Sequence, residues 1–270
     1  MTPIRTVITG ISGRMGALLV RMVRDTPEFV LHGGTDKPDH ATIGLDVGLA
    51  AHVAPLEVST VDSLAAVLDR AHVVIDFTTA EASVEHARLC AEARVPLVVG
   101  STGFDTLAKA AMHEAARSIP LVMAPNMSVG VNLILKTAVT LARQLGEDFD
   151  VEVLEAHHRH KKDAPSGTAM RIADELALAL GRGAEDIRTT RVGQVGERPK
   201  NEIGVQTLRG GDVVGEHTIY FFGDGERVEL THRATSREQF GRGALRAAKW
   251  VIHRKPGVYD MAHVLGLVSP

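Results

Sequence analysis

The chain of 270 residues carries 30 basic and 33 acidic side chains, a formal net charge of −3 and 44% hydrophobic residues. That apolar share supports packed cores, the single cysteine, Cys90, excludes an internal disulfide, and the near-balanced charge excludes a global field suited to nucleic acid or an acidic membrane. No run approaches the ~18 apolar residues that span a bilayer, and the opening MTPIRTVITG lacks a basic region followed by a long apolar stretch, so a soluble, cytoplasmic protein is expected.

The first ~125 residues alternate short apolar runs with helical patterns, as a parallel sheet with crossover helices does. Strands are predicted over 6–9, 29–35, 73–77, 97–100 and 121–124, most of them continuously apolar, as strands buried on both faces read. In the first helix Met15, Leu18, Leu19, Met22 and Val23 recur at helical spacing, and Cys90 falls in a second helix over about 81–93 as a small core side chain.

After Asn126 the pattern changes. A helix over about 129–145 leads to a strand over 151–156 and then to the polar stretch HHRHKKDAPSGT. The next helix, 168–180, keeps Ala169, Ile172, Ala173, Leu176 and Leu180 on one stripe, and Gly181 stands where a left-handed cap ends it. Residues 183–196 read as an exposed loop. Alternating runs at 216–222 and 227–233, joined through Gly223, Asp224 and Gly225, read as an antiparallel hairpin, which makes this second domain α+β. Ser236 and Gln239 have capping-box spacing and open a last helix that carries Trp250, ends before Pro256 and is expected to return to the first domain.

Gly10, Gly13 and Gly16 of GISGRMG follow the first strand and open the first helix, the arrangement by which Rossmann dinucleotide-binding folds turn tightly and bring a pyrophosphate to helix N-terminal amides. Alone, this spacing also fits flavin, a methyl donor or no ligand at all. Asp36, at the end of the second strand, can accept hydrogen bonds from ribose hydroxyls or be a solvated turn residue; Lys37 beside it suits a 2′-phosphate. GSTGF at 100–104 and APNMS at 124–128 follow later strands, where loops converge on the nicotinamide half of such a cofactor or serve as ordinary turns.

The segment EAHHRHKKDAPSGTA, 155–169, sets histidines and lysines between a strand and a helix. A solvated cationic face does not account for the turn Pro165-Ser166-Gly167-Thr168 behind it. H-H-x-H lacks the spacing of a helical zinc pair and has no cysteine to add, so no metal is expected. Scarce aromatic side chains argue against nucleic acid. Ser166, Gly167 and Thr168 instead offer amides and hydroxyls at a helix N-terminus to a carboxylate, Lys161 adds charge, and His157 or His158 can pass a proton beside a hydride transfer.

The same segment resembles the E-x-H-H-x-x-K-x-D-x-P-S-G-T hallmark of the 4-hydroxy-tetrahydrodipicolinate reductases, also called dihydrodipicolinate reductases. GISGRMG, DFTTAE, GSTGF, APNMSVGVN and YDMAHVLGL resemble that family in order, so the resemblance covers nearly the whole chain. It implies a hydride passed from NADH or NADPH to a small cyclic dicarboxylate of lysine and diaminopimelate synthesis, with loss of the ring hydroxyl, hydride attack at that carbon and proton return to its neighbour. It implies His157 as proton donor and acceptor, Lys161 as second donor holding substrate charge, and His158, Gly167 and Thr168 against the substrate carboxylates, beside the Ser166 already read as part of that cradle. On the cofactor side it implies Gly10, Ile11, Ser12, Gly13, Arg14 and Met15; Asp36 and Lys37; Gly100, Ser101 and Thr102; and Ala124, Pro125, Asn126 and Met127. Met127 stands where the family often has an aromatic side chain, which bears on contact with the nicotinamide.

The fold expected is α/β: a Rossmann dinucleotide-binding domain of residues 1–127 and 237–270, and an α+β substrate-binding and tetramerisation domain of 128–236 with a mixed open sheet. The substrate site is expected between the two, and the resemblance implies a homotetramer. Two rivals remain at this stage: another amino-acid-type dehydrogenase of the same fold, and a non-catalytic dinucleotide sensor, for which a proton donor would be superfluous.

Overall fold

The computed structural model describes residues 2–268. In chain order its elements are β1 (Ile4–Thr9), α1 (Arg14–Asp25), β2 (Phe29–Thr35), α2 (Val47–Ala50), β3 (Thr60–Val61), β4 (Val73–Asp76), α3 (Ala80–Ala93), β5 (Leu97–Val99), α4 (Thr106–Ala115) and β6 (Pro120–Met123). There follow α5 (Val129–Leu145), β7 (Asp150–His157), α6 (Gly167–Ala179), β8 (Ile187–Arg188), β9 (Ile203–Arg209), β10 (Gly215–Gly223), β11 (Glu226–Ala234), α7 (Glu238–Val251), β12 (Gly257–Tyr259) and α8 (Met261–Val264). The residues up to Val129 together with those from Glu238 onward form one compact unit, and Gly130–Arg237 form a second.

In the first unit seven strands run in the order β12-β6-β5-β4-β1-β2-β3, all parallel. The six N-terminal strands thus follow the doubly wound order, in which the chain reverses direction across the sheet between β1 and β4. Both faces are covered, which is why β4, β5 and β6 are almost wholly apolar. On one face Ile8, Ile75, Val98 and Val122 pack with Leu19 and Val23 of α1 and with Ala244, Ala247 and Val251 of α7. On the other, Val7, Val74, Leu97 and Leu121 pack with Ala87 and Cys90 of α3 and Met112 of α4. The last helix therefore returns to the first unit. It begins at Glu238, and the Gln239 side-chain oxygen accepts from the Ser128 hydroxyl at 3.0 Å.

The second unit is built on a mixed sheet of order β11-β10-β7-β9-β8, with β10 antiparallel to both β11 and β7, and β9 parallel to β7 and β8. Val151, Val153, Ile203, Val205, Ile219 and Phe221 face α5 and α6, meeting Leu135, Ala138, Ile172 and Leu176. The helix α6 stops where its glycine requires: Gly181 has φ +66°, its N–H donates to Leu178 O at 3.3 Å, and Arg182 N–H donates to Ala177 O at 2.8 Å. Within the span read as a loop, residues 187–188 pair with β9 as β8, a two-residue strand too short for any periodic signal. Sequence periodicity also left β9 unassigned, because Gly204 and Thr207 break its apolar run.

Candidate functional site

The glycine turn is shaped by contact. Gly10 takes φ +63°, and a Cβ on Gly16 would stand 2.0 Å from Gly10 O, so the first turn of α1 is seated directly on the loop. Gly13 caps α1 with no side-chain hydrogen bond, leaving the first-turn amides without the carboxylate or hydroxyl that usually satisfies them. That fits an anion supplied from outside, as a dinucleotide pyrophosphate is. Ile11 faces inward: its side chain is fully buried in the core and its N–H donates to Thr35 O at 3.1 Å. Ser12 and Arg14 are exposed and Met15 is half-buried.

Asp36 ties the end of β2 to this turn, one carboxylate oxygen accepting from Ser12 N–H and the other from Lys37 N–H, each at 2.9 Å. Burial would raise its pKa, but these hydrogen bonds and nearby His40 together hold it below the usual carboxylate range. Lys37 is exposed. On the GSTGF loop Gly100 N–H donates to Asp76 O at 2.8 Å, Ser101 is buried and accepts from the Ser83 hydroxyl at 2.8 Å, and Thr102 is exposed. On the APNMS loop Ala124 is buried and Pro125 exposed, while the Asn126 side-chain oxygen accepts from Ser128 N–H at 2.9 Å. Met127 is 1% exposed and belongs to the same core cluster as Met261 and Val264, with its carbonyl packed against Gly243 of α7.

In the second unit the carboxylate of Glu155, with 0% exposure, organises the polar segment. Its Oε2 accepts from His157 Nδ1 at 2.6 Å and from Arg209 at 2.8 Å; its Oε1 accepts from Ser166 N–H at 3.0 Å, the Thr207 hydroxyl at 3.1 Å and Arg209 at 2.9 Å. Burial would raise this carboxyl, yet the hydrogen bonds from His157, Arg209 and Ser166 outweigh it and pull it down to about 2. With Nδ1 bound to a carboxylate, His157 carries its proton there and leaves Nε2 without a hydrogen-bond partner among the described residues. His157 is the last residue of β7 rather than a loop residue, so sheet pairing fixes its backbone: its carbonyl accepts from Gly210 N–H at 3.0 Å.

Behind it His217 stands edge-on, ring centroids 5.3 Å apart, with Nε2 3.2 Å from the Ser166 hydroxyl. Burial, with His157 adding to the effect, pushes His217 down to about 4, so it is neutral near pH 7. The Ser166 hydroxyl also caps α6 through Ala169 N–H at 3.1 Å. Gly167 opens onto free space, and Thr168 follows in the first turn, half-buried. Lys161 lies 2.9 Å from Asp163 as a partly exposed ion pair. His158 is held below its ordinary pKa by burial and, to a lesser degree, by Arg237 and the neighbouring His160, His157 and Lys161.

Sequence reasoning named His157, His158, Lys161, Ser166, Gly167 and Thr168, which share this one strand–loop–helix segment. It assigned no role to Glu155, although that residue opens the hallmark, and it missed Arg209 and His217. Arg209 has no local signal; the β7–β9 register alone brings it opposite His157. His217 had a faint one, since alternation along β10 puts it on the inner face with Ile219 and Phe221. Among the described residues no group of three or more His, Cys, Asp or Glu side chains is placed to hold a metal ion, and no helix is long and apolar enough to cross a membrane.

A doubly wound unit with a glycine turn, joined in one chain to a mixed-sheet unit bearing a histidine–lysine segment, defines a two-unit nicotinamide-dependent oxidoreductase. The model described as dihydrodipicolinate reductase, N-terminus, matches residues 4–127, and that described as dihydrodipicolinate reductase, C-terminus, matches residues 130–265. The chain belongs to the dihydrodipicolinate reductase family and is an NAD(P)H-dependent oxidoreductase. It is 62% identical to the 4-hydroxy-tetrahydrodipicolinate reductase of Myxococcus xanthus, over 97% of this chain and 98% of that protein. With the enzyme of the same name from Anaeromyxobacter dehalogenans it shares 57% identity over 97% and 98% of the two chains. Among solved structures, the dipicolinate-bound dihydrodipicolinate reductase from Paenisporosarcina sp. TG-14 superposes with a TM-score of 0.78 at 27% identity, over 96% of this chain and 98% of that one.

Proposed function

We propose that this protein reduces 4-hydroxy-2,3,4,5-tetrahydrodipicolinate, by way of dihydrodipicolinate, to tetrahydrodipicolinate in lysine and diaminopimelate synthesis. The observation that carries the site assignment is the Glu155–His157 pair beside the N-terminus of α6. On this reading the unit holding the glycine turn, residues 1–127 with 237–270, binds the dinucleotide, and residues 128–236 bind substrate and form the oligomer.

When bound, NADH or NADPH supplies the hydride, held by the backbone of residues 10–15, 100–102 and 124–127, with Asp36 and Lys37 at the adenosine end. The chain's own groups handle charge and protons. Amides at the start of α6, with Ser166, Gly167, Thr168 and His158, receive a substrate carboxylate. Lys161 exchanges its Asp163 partner for substrate charge; because that pair is exposed at Asp163, the exchange costs little. Loss of water from the hydroxylated ring, hydride addition at the same carbon and a proton at the neighbouring one balance the reaction; His157 Nε2 first takes up a proton from solvent, with Glu155 holding the opposite N–H, and with Lys161 delivers it to that carbon.

A homotetramer in the cytoplasm is part of the proposal. In its support, the sheet face of the second unit opposite α5 and α6 exposes Leu208 by 55% and Phe222 by 37%, and Tyr220 and Phe222 stack there at 5.4 Å under the Arg227 guanidinium.

The decisive assay supplies the hydroxylated dicarboxylate with NADH or NADPH and follows nicotinamide absorbance. Oxidation of either, lost by about 10²- to 10⁴-fold in kcat in His157→Gln with substrate affinity little changed, is the expected result. Folded protein that consumes neither cofactor refutes the substrate assignment. Near-normal kcat in His157→Gln moves the proton donor to His158.

A further inference from the structure

The turn from β4 into α3 carries the motif DFTTAE, which no role assigned above absorbs. Asp76, the last residue of β4, has 0% exposure. Its Oδ1 accepts from Thr78 N–H at 2.8 Å and from the Thr78 hydroxyl at 2.6 Å, and its Oδ2 is 2.7 Å from Nδ1 of His86, one helical face further along α3. A carboxylate this deep is costly to bury without a partner. Starting the helix does not require it, because Thr79 already caps α3 by accepting from Ala82 N–H at 3.3 Å.

What the carboxylate holds is Thr78, and Thr78 abuts the glycine turn: its Cγ2 lies 2.9 Å from where a Cβ on Gly10 would stand. The same segment reaches the second loop. Asp76 O accepts Gly100 N–H at 2.8 Å, the Phe77 ring comes within 2.1 Å of where a Gly100 Cβ would stand, and Ser83 donates to Ser101 at 2.8 Å. Residues 76–86 therefore contact both the glycine turn and the GSTGF loop.

We infer that Asp76 and His86 are positioning residues of the cofactor site, pinning Thr78 against Gly10 so that the glycine turn and the loop of Gly100, Ser101 and Thr102 keep a fixed spacing. The inference rests on the reading of those two loops as cofactor loops. Neither Asp76 nor His86 need touch the dinucleotide. Their effect is on how well the backbone amides are placed before it arrives, which appears as cofactor affinity rather than as a chemical step.

The test measures NADH binding to the full chain by fluorescence titration without dicarboxylate, alongside steady-state KM values. His86→Leu leaves the carboxylate without its imidazole partner, and the Kd for NADH is expected to rise about 10-fold or more while the KM for the dicarboxylate moves less than about twofold. His86→Asn places an amide N–H near the Nδ1 position and should restore the Kd to within about threefold of wild type. General loosening of the fold would not be rescued in this way. Thr78→Val keeps a methyl against Gly10 and deletes only the hydroxyl; a rise of roughly 3- to 10-fold is expected. If His86→Leu does not fold, Thr78→Val decides, and unchanged NADH affinity there overturns the inference. Equal losses of cofactor and dicarboxylate affinity also overturn it. A wild-type protein that binds neither NADH nor NADPH overturns the cofactor reading itself, and the inference with it.

Discussion

Each unit buries a carboxylate near the end of a central strand and sets a histidine Nδ1 against it, Asp76 with His86 at 2.7 Å and Glu155 with His157 at 2.6 Å. The two are put to opposite use. Asp76 accepts from its own turn and from the helix that follows, so it braces backbone. Glu155 gathers donors from β7, β9 and the start of α6, including a guanidinium, and braces side chains. A dinucleotide offers phosphates and hydroxyls that backbone amides can meet, whereas proton transfer needs one ring nitrogen aimed at one carbon. A backbone brace serves the first, and a fully bonded carboxylate that fixes a tautomer serves the second.

Breaking the side-chain brace should produce the largest effect. Glu155→Gln keeps the shape but turns an NH₂ toward donors and leaves Arg209 without its anion. A kcat loss on the order of 10²-fold is expected, with the Kd for NADH unchanged. The ¹⁵N shifts of the His157 ring should show loss of the single Nδ1–H tautomer; retention of that tautomer together with normal kcat would detach Glu155 from the site.

Acid should sharpen the same contrast more gradually. His217 is lowered from an ordinary 6.5 to about 4, so between those values the unfolded chain binds the extra proton and stability declines as pH falls. Glu155 is lowered from 4.5 to about 2, and its contribution, present above 4.5, is lost as pH falls toward 2. Each contributes at most on the order of 3 kcal/mol. Denaturant unfolding across this range should show two successive losses, and His217→Asn should flatten the upper one. A single loss confined below pH 4 in the wild type would mean that His217 titrates normally.

The smallest effect belongs to the exposed adenosine end. Lys37→Ala should weaken NADPH by about 5- to 10-fold while leaving NADH within about twofold, since only the former offers a phosphate to that cation. An unchanged NADPH-to-NADH ratio would show that Lys37 points elsewhere.

The contrast between units also governs what could be read without a structure. Strands β1, β2, β4, β5 and β6 announce themselves as apolar runs because both faces of their sheet are covered, and the glycine turn follows from three residues at local spacing. In the second unit the hairpin and α6 were legible through alternation, Gly181 and Ser166. Arg209, Thr207 and His217 were not, because what they meet is decided by strand register rather than by anything nearby; the Thr207 and Arg209 contacts with Glu155 span 52 and 54 positions, and the Ser166–His217 contact 51. The inward side chains of Ile11 and Met127 were not legible for the complementary reason: a motif marks a backbone path, and the path alone does not say which side chains turn into the core.

Sequence separation has a further consequence, in the order of assembly. The Asp76–His86 contact closes a loop of 10 positions, and the Glu155–Arg209 contact one of 54. Short-range contacts form early in folding, and long-range strand pairing waits until loop closure is repaid by the whole sheet. As the chain leaves the ribosome, the brace on the glycine turn has its parts as soon as α3 emerges, whereas His157 has no guanidinium behind its carboxylate partner until β9 has been synthesised and paired. The brace of the glycine turn is therefore in place before the one behind His157, while the sheet that carries the turn stays only partly covered on one face until α7, the last long helix, has been synthesised.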